Sequence, residues 1–180
     1  MIAVGDAMDS ILDWLRRLPE PAGVPRQPVA LEGDVMKIDW LKVAEVQFAR
    51  HGCLFQVILM DPSWRIHLEL DYPVLSDTAI FSIPLHLLQT DGYLLVWIVN
   101  QKEERVKALL KKQGYQYIDK ITWLNRTSRG NFVNGWGVTV RHSTETCFIF
   151  RKGAVRSFSK LHTASDAIDA AIQDASMKPD

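Results

Sequence analysis

The chain has 180 residues, and its 21 lysines and arginines balance 21 aspartates and glutamates, for a formal net charge of zero. That length fits one domain of ordinary size with one core. The balance excludes a protein that holds nucleic acid by bulk positive charge alone, though not one with a local basic groove or a basic partner subunit.

The composition, 47 % hydrophobic and 23 % charged, is that of a soluble globular protein. No stretch reaches the roughly 18 apolar residues needed to cross a bilayer. The opening residues Met1-Ile2-Ala3-Val4-Gly5-Asp6 lack a basic segment followed by a long apolar one, so no secretory signal is expected. Cys53 and Cys147 lie in apolar, strand-like contexts and are expected to be reduced core residues of an intracellular protein. Neither has a second ligand at zinc-type spacing, so no metal site is expected.

In chain order, Ala7, Ile11, Trp14, Leu15 and Leu18 fall at helical spacing after Asp6. They predict an amphipathic helix over 6–18 that packs on the main domain or on a partner. Pro19, Pro21, Pro25 and Pro28 predict an extended linker over 19–29, which leaves 30–180 as the main domain. The apolar run 55–60, stopped by Pro62, suits a buried strand. A second run over 93–99 predicts another. From Gln101 to Gln113, Val106, Leu109 and Leu110 share one face among lysines and glutamates, and Gly114 is placed to end that surface helix. Residues 117–123 alternate as a strand would, and 146–150 form a further apolar run. The stretch 125–145 holds Gly130, Gly135, Gly137, Asn131 and Asn134 without a clear period, and predicts a long loop. The alanines of 164–175 favour a helix by composition alone, and periodicity does not settle so short a segment.

Strand, helix and strand alternate, so the fold class is α/β with a mainly parallel sheet. Ligands in such sheets sit beyond the carboxyl ends of the strands, which puts Asp61 at the active edge. Asp61-Pro62-Ser63-Trp64 follows its strand directly. These residue types suit an amine held for alkylation. The exocyclic amine of adenine is a poor nucleophile because its lone pair is delocalised into the ring. A carboxylate (Asp61) and a backbone carbonyl (Pro62) that accept its two N–H protons would direct that lone pair. A flat side chain (Trp64) would stack on a base drawn out of its strand. The plainer alternative is a turn, for which Asp-Pro-Ser is good chemistry anywhere.

The stretch from Asp61-Pro62-Ser63-Trp64 through Ile66-His67 and Tyr72 to Ser76-Asp77 resembles the MTA-70 family of adenosine methyltransferases. That family carries Asp-Pro-Pro-Trp, then Ile-His, a Tyr, and Ser-Asp. The likeness continues through Asp91-Gly92-Tyr93-Leu94-Leu95-Val96-Trp97, Gly114-Tyr115, Trp123, His142, Glu145-Thr146-Cys147 and Lys152-Gly153. Upstream it takes in Gly33-Asp34-Val35 and Asp39.

The resemblance implies a Rossmann-like S-adenosylmethionine-dependent methyltransferase fold, with a mainly parallel sheet flanked by helices. It implies methyl transfer from S-adenosylmethionine to adenine N6 in RNA, or in DNA as in the family's ciliate members. It also implies a heterodimer with a related subunit, a nuclear location, and partner contacts at 125–145 and 101–113. By the same resemblance Asp61, Pro62, Ser63 and Trp64 form the target-adenine pocket. Tyr72 sits on a loop closing over it. Asp34 and Val35 meet the adenine ring of the cofactor, Lys152 lies on a gating loop near the cofactor's charged end, and His142 lies by the nucleic-acid entrance.

Each has a duller alternative: Asp34 a turn residue, Tyr72 a packing aromatic, Lys152 a solvated lysine, His142 a loop histidine. Ser63 departs from the family's second proline, which weakens preorganisation and keeps open a catalytically weak partner subunit. The chain stops at Met177-Lys178-Pro179-Asp180, before the family's last cofactor-binding block, so a fold truncated at its C-terminus is expected. The family pattern also favours a strand near 167–172 over the helix that composition suggests.

Overall fold

The computed structural model describes residues 30–66, 73–133, 141–154, 165–172 and 178. The expected helix at 6–18, the linker and Tyr72 lie outside them. Five strands form one sheet: β1 (Val57–Met60), β2 (Gly92–Ile98), β3 (Gln116–Arg126), β4 (Thr144–Lys152) and β5 (Ala167–Ala171), in the spatial order β1-β2-β4-β3-β5. β1 runs parallel to β2 and β3 parallel to β5, while β4 is antiparallel to both of its neighbours, β2 and β3. Every strand but β4 therefore points the same way, the mainly parallel α/β sheet the sequence implies. The 167–172 segment is the strand that the family pattern favours, with Thr122↔Ala167 to Arg126↔Ala171 in register.

The helices are short. α1 (Trp40–His51) is capped by the Asp39 carboxylate, which accepts from Lys42 N–H at 3.0 Å, and ends at Gly52 with φ 68°. α2 (Asp77–Ile80) and α3 (Leu85–Leu88) are single turns between β1 and β2, and α4 (Glu103–Lys112) joins β2 to β3. α4 follows a 3₁₀ turn at Asn100–Lys102 and buries Val106 and Leu110, the face its spacing predicts.

Leu94, Val96 and Ile98 of β2, with Phe148 and Phe150 of β4, pack under α2, α3 and α4. Trp97, Trp123 and Cys147 form a second cluster with Leu95, Ile121 and Ile168. The register places that second set on the opposite face of the sheet, because successive strand residues alternate sides. A third cluster, Ala44, Leu54 and Leu88, seats α1 on α3.

Two expectations change. β1 is an edge strand among the described residues and not a fully buried one: Val57 is 58 % and Leu59 63 % exposed, and Ile58 and Met60 alone turn into the core. Cys53 is exposed, because it lies in the connection after α1 and not in a strand, while Cys147 is buried and free as expected. Burial pushes the Cys147 thiol up to about 11.

Polar groups lock the amino edge of the sheet. Buried Gln89 donates to Phe55 O and Tyr93 O, both at 3.1 Å, and accepts from the Tyr115 hydroxyl at 2.9 Å. A Cβ on Gly92 would stand 2.2 Å from Gln56 O, so only glycine lets β2 begin there. These contacts give the Asp91-Gly92-Tyr93 and Gly114-Tyr115 blocks a structural role.

Ser76 caps α2, and Asp77 beside it is buried at 5 % exposure between Lys102 (Nζ to Oδ1, 2.9 Å) and Arg105 (Nε to Oδ2, 3.0 Å). Asp77→Ala would leave Lys102, 18 % exposed, without its anion. The loss expected in denaturant unfolding is about 2 kcal/mol, below the ~3–5 kcal/mol of a fully buried pair because Arg105 can turn to water.

Candidate active site

β1 and β2 end side by side, with Met60 opposite Val96. Asp61 therefore emerges at the carboxyl edge of the parallel strands, where crevices form in such sheets. Its side chain is 45 % exposed, and the residue lines a cleft of about 590 Å³. The cleft runs along β1 and between its flanking helices, with Asp61, Pro62 and Ser63 at one end and Val35, Trp40 and Leu88 elsewhere in the lining. Most of that lining is apolar, so the cleft suits a flat ring with few polar edges.

On the same face of the sheet as Trp97, Asp61 belongs to a chain of charges. Lys178 Nζ lies 3.4 Å from Asp61 Oδ2 and 2.8 Å from Glu145 Oε2. Buried Asn125 donates from Nδ2 to Glu145 Oε1 at 3.1 Å, and the Lys178 ammonium rests 5.4 Å from the Trp97 ring centre. Burial raises the Asp61 pKa above its ordinary 3.8, and the neighbouring Glu145 charge adds to this; the charge and hydrogen bond of Lys178 oppose the rise without cancelling it. Burial alone would lower Lys178, but the hydrogen bond and charge of Glu145, with those of Asp61, outweigh it and hold the lysine above its ordinary value. Asp61 is thus paired, yet loosely, and it keeps open space before it.

The backbone of the motif is tightly turned. Trp64 N–H donates to Pro62 O at 2.9 Å, which occupies one of that carbonyl's two lone pairs. Ser63 O accepts from Leu75 N–H at 2.9 Å. An i→i+2 bond of this kind commonly sets its central residue near φ −75°, within reach of the −65° that proline imposes. Ser63→Pro is therefore expected to stabilise the chain by about 0.4–1 kcal/mol through the unfolded state, read as a raised denaturation midpoint.

The other residues singled out in the sequence fall in different places. Val35 lines the cleft. Asp34 turns its carboxylate to its own 3₁₀ turn at Val35–Lys37, accepting from Met36 N–H at 3.0 Å, and that backbone bond, with Lys37, lowers its pKa. His142 is exposed two residues before β4 begins, on the same edge as Asp61 because β4 runs backwards.

Two residues differ from expectation. Trp64 is 5 % exposed; its indole N–H donates to Trp97 O at 2.8 Å and its ring packs 6.0 Å from Phe81, so it offers no open face to a base. Lys152 ends β4 opposite Gly92, at the amino edge, roughly 13 Å from the level of Val96 at ~3.3 Å per residue. It is buried 5.0 Å from the Tyr115 ring centre and burial lowers its pKa. The cation that reaches Asp61 is Lys178, which sequence reasoning missed.

The family model described as MT-A70 matches residues 55–180. The chain belongs to the MT-A70 family. The fold of that family is that of S-adenosylmethionine-dependent methyltransferases. The human "N(6)-adenosine-methyltransferase catalytic subunit METTL3" is 32 % identical over 128 residues, 70 % of this chain and 22 % of that protein. The zebrafish "N(6)-adenosine-methyltransferase subunit METTL3" gives the same identity and coverage. The Arabidopsis thaliana "N(6)-adenosine-methyltransferase MT-A70-like" is 29 % identical over 167 residues, 90 % of this chain and 24 % of that protein. The chain thus spans about a quarter or less of these relatives. The MT-A70 match begins just before β1 and takes in Asp61, Glu145 and Lys178, while Asp34 and Val35 lie before it.

Among the described residues no group of three His, Cys, Asp or Glu is arranged to hold a metal, and no helix is long and apolar enough to cross a membrane.

Proposed function

We propose that this MT-A70 chain transfers a methyl group from S-adenosylmethionine to N6 of adenine in RNA, as one subunit of a heterodimer. The observation that carries the reading is Asp61: a loosely paired carboxylate, half open to solvent, at the carboxyl edge beside an apolar cleft. The names of the relatives, which specify N6-adenosine methylation, support the choice of acceptor. The lining residues fit the cofactor's chemistry: apolar side chains for a purine and for the carbons around a sulfonium, and one carboxylate for that cationic centre. When bound, the cofactor supplies an electrophilic methyl group on a sulfonium.

The residues of the chain do the holding. Asp61 accepts one N–H of the target amine, and the second lone pair of Pro62 O accepts the other. Both protons held in this way turn the nitrogen lone pair outward. The departing proton passes to Asp61 or to water, which a carboxylate with a raised pKa favours. Lys178 keeps Asp61 directed while Glu145 and Asn125 keep Lys178 in place. Val35 meets the cofactor's adenine ring, Asp34 supports the turn that presents it, and His142 stands at the nucleic-acid entrance. Phe132, 52 % exposed under the Arg126 guanidinium, supports a partner contact at 125–145.

The second reading, a catalytically weak subunit of the same heterodimer, draws on Ser63 and on the engagement of Pro62 O by Trp64 N–H. The same transfer onto DNA shares the pocket chemistry, and a 2′-hydroxyl contact separates the two polymers. The deciding experiment incubates the chain, alone and with a related subunit, with labelled S-adenosylmethionine and matched RNA and DNA oligonucleotides. Label on RNA adenine N6 is the expected result. Label on DNA only moves the assignment to the other polymer, and label on neither favours the weak subunit.

A further inference from the structure

A second pocket, of about 240 Å³, opens on the same edge of the sheet and is lined by Arg65, Ile66, Gln101 and Lys102. Among the described residues its lining carries two cations and one amide and no carboxylate. The two segments that form it are tied together. Trp64, beside Arg65, donates its indole N–H to Trp97 O at 2.8 Å near the end of β2, and the 3₁₀ turn bearing Gln101 and Lys102 follows directly. Trp64 is also bridged to Leu75, and Arg65 N–H donates to Leu75 O at 3.3 Å, so the backbone under the exposed Arg65 is held from both sides.

The Lys102 ammonium is held from beneath by both oxygens of Asp77, at 2.9 and 3.1 Å. Asp77 is one carboxylate facing two cations, Lys102 and Arg105. It meets Arg105 through Nε, which leaves the two terminal amino groups of that guanidinium outside the bond. Among the described residues, Arg65 adds a third cation to Lys102 and Arg105 on this side of the chain, against the one buried carboxylate of Asp77. Glu103 at the start of α4 is taken up by Lys107 at 2.7 Å, and Glu104 points to solvent at 88 % exposure, 3.5 Å from the same lysine.

We infer that Arg65, Gln101 and Lys102 form a phosphate subsite that grips the backbone of the strand whose adenine enters at Asp61. The inference rests on the proposed function and deepens it. A guanidinium, an ammonium and an amide bordering one pocket are donor types that suit the oxygens of a phosphodiester. A contact of this kind fixes the register of the strand and carries no sequence preference.

The test is fluorescence anisotropy of a short single-stranded oligoribonucleotide, with and without adenine, titrated with the native chain over a range of salt. Arg65→Gln and Gln101→Glu change exposed side chains, so folding is not at stake. Each is expected to weaken binding about 3- to 10-fold and equally for both oligonucleotides, and Arg65→Gln to lower the salt slope by about one. Unchanged affinity and slope in both variants, or no binding by the native chain at low salt, would overturn the inference. So would a site that takes inorganic phosphate and no strand. The two readings fail separately. Methyl transfer that depends on Asp61, with oligonucleotide binding indifferent to Arg65, sinks the subsite alone. Binding that depends on Arg65, with no methyl transfer under any condition, sinks the function and leaves the subsite.

Discussion

Asp61→Asn is expected to lower methyl transfer at least about 100-fold, the cost of removing one charged, preorganised group at a reacting centre. The amide keeps the shape of the side chain but loses the charge, and one of its two positions becomes a donor that repels the incoming N–H. Lys178 stays in place through Glu145 at 2.8 Å, so the variant should fold. The sign of the stability change follows from the pKa. Burial raises Asp61 above 3.8, so the folded state binds the proton more tightly than the unfolded state. Stability from this group is therefore lost as pH rises from 3.8 through the raised value, and above it the ionised carboxylate costs stability. Asp61→Asn is expected to be at least as stable as the parent at neutral pH, and clearly less active. In the parent, activity should climb through that same window as the carboxyl loses its proton. A variant with parental turnover, measured by label transfer at saturating cofactor, would remove Asp61 from the site.

Much of the frame was legible because short apolar runs announce strands. The run at 93–99 overlaps β2 up to Ile98 and the run at 146–150 falls within β4, and the charged helix after β2 follows from Val106, Leu109 and Leu110 sharing a face. The carboxyl-edge rule put Asp61 where it stands, before any likeness to a family was used. α1 was missed although its signals were present: Asp39 caps it, Gly52 ends it, and Trp40, Val43, Ala44 and Phe48 share a face. α2 and α3 are single turns, too short for any period to show.

The misplacement of Lys152 has a plain physical source, which is that sequence order does not give strand direction. Lys152 follows an apolar run as Asp61 does, but β4 is reversed, so its end lies at the opposite edge of the sheet. The same reversal carries His142 and Glu145, at the start of β4, to the edge that Asp61 occupies. Lys178 reaches the site from beyond β5, a placement set by tertiary contact alone. No local pattern in Met177-Lys178-Pro179 marks it as the partner of two carboxylates.

Trp64 carries the second large effect, and on stability. Its indole is 5 % exposed, bonded to Trp97 O and packed on Phe81 within the cluster that holds Leu94, Val96 and Phe148. Trp64→Ala is expected to cost about 3–5 kcal/mol in denaturant unfolding, the range for emptying a buried aromatic site. Trp64→Phe keeps most of the volume and loses the N–H, and should cost about 1 kcal/mol from the hydrogen bond with a small packing loss besides. The pair of variants also separates a core residue from a base platform. A platform would give Trp64→Ala near-parental stability with weakened oligonucleotide binding, and Trp64→Phe normal binding. A core residue gives the reverse order of effects: stability falls in step with lost volume, and activity falls because the loop bearing Asp61, Pro62 and Arg65 is no longer pinned to the end of β2. Unfolding midpoints of the two variants equal to the parent would contradict the placement of this ring.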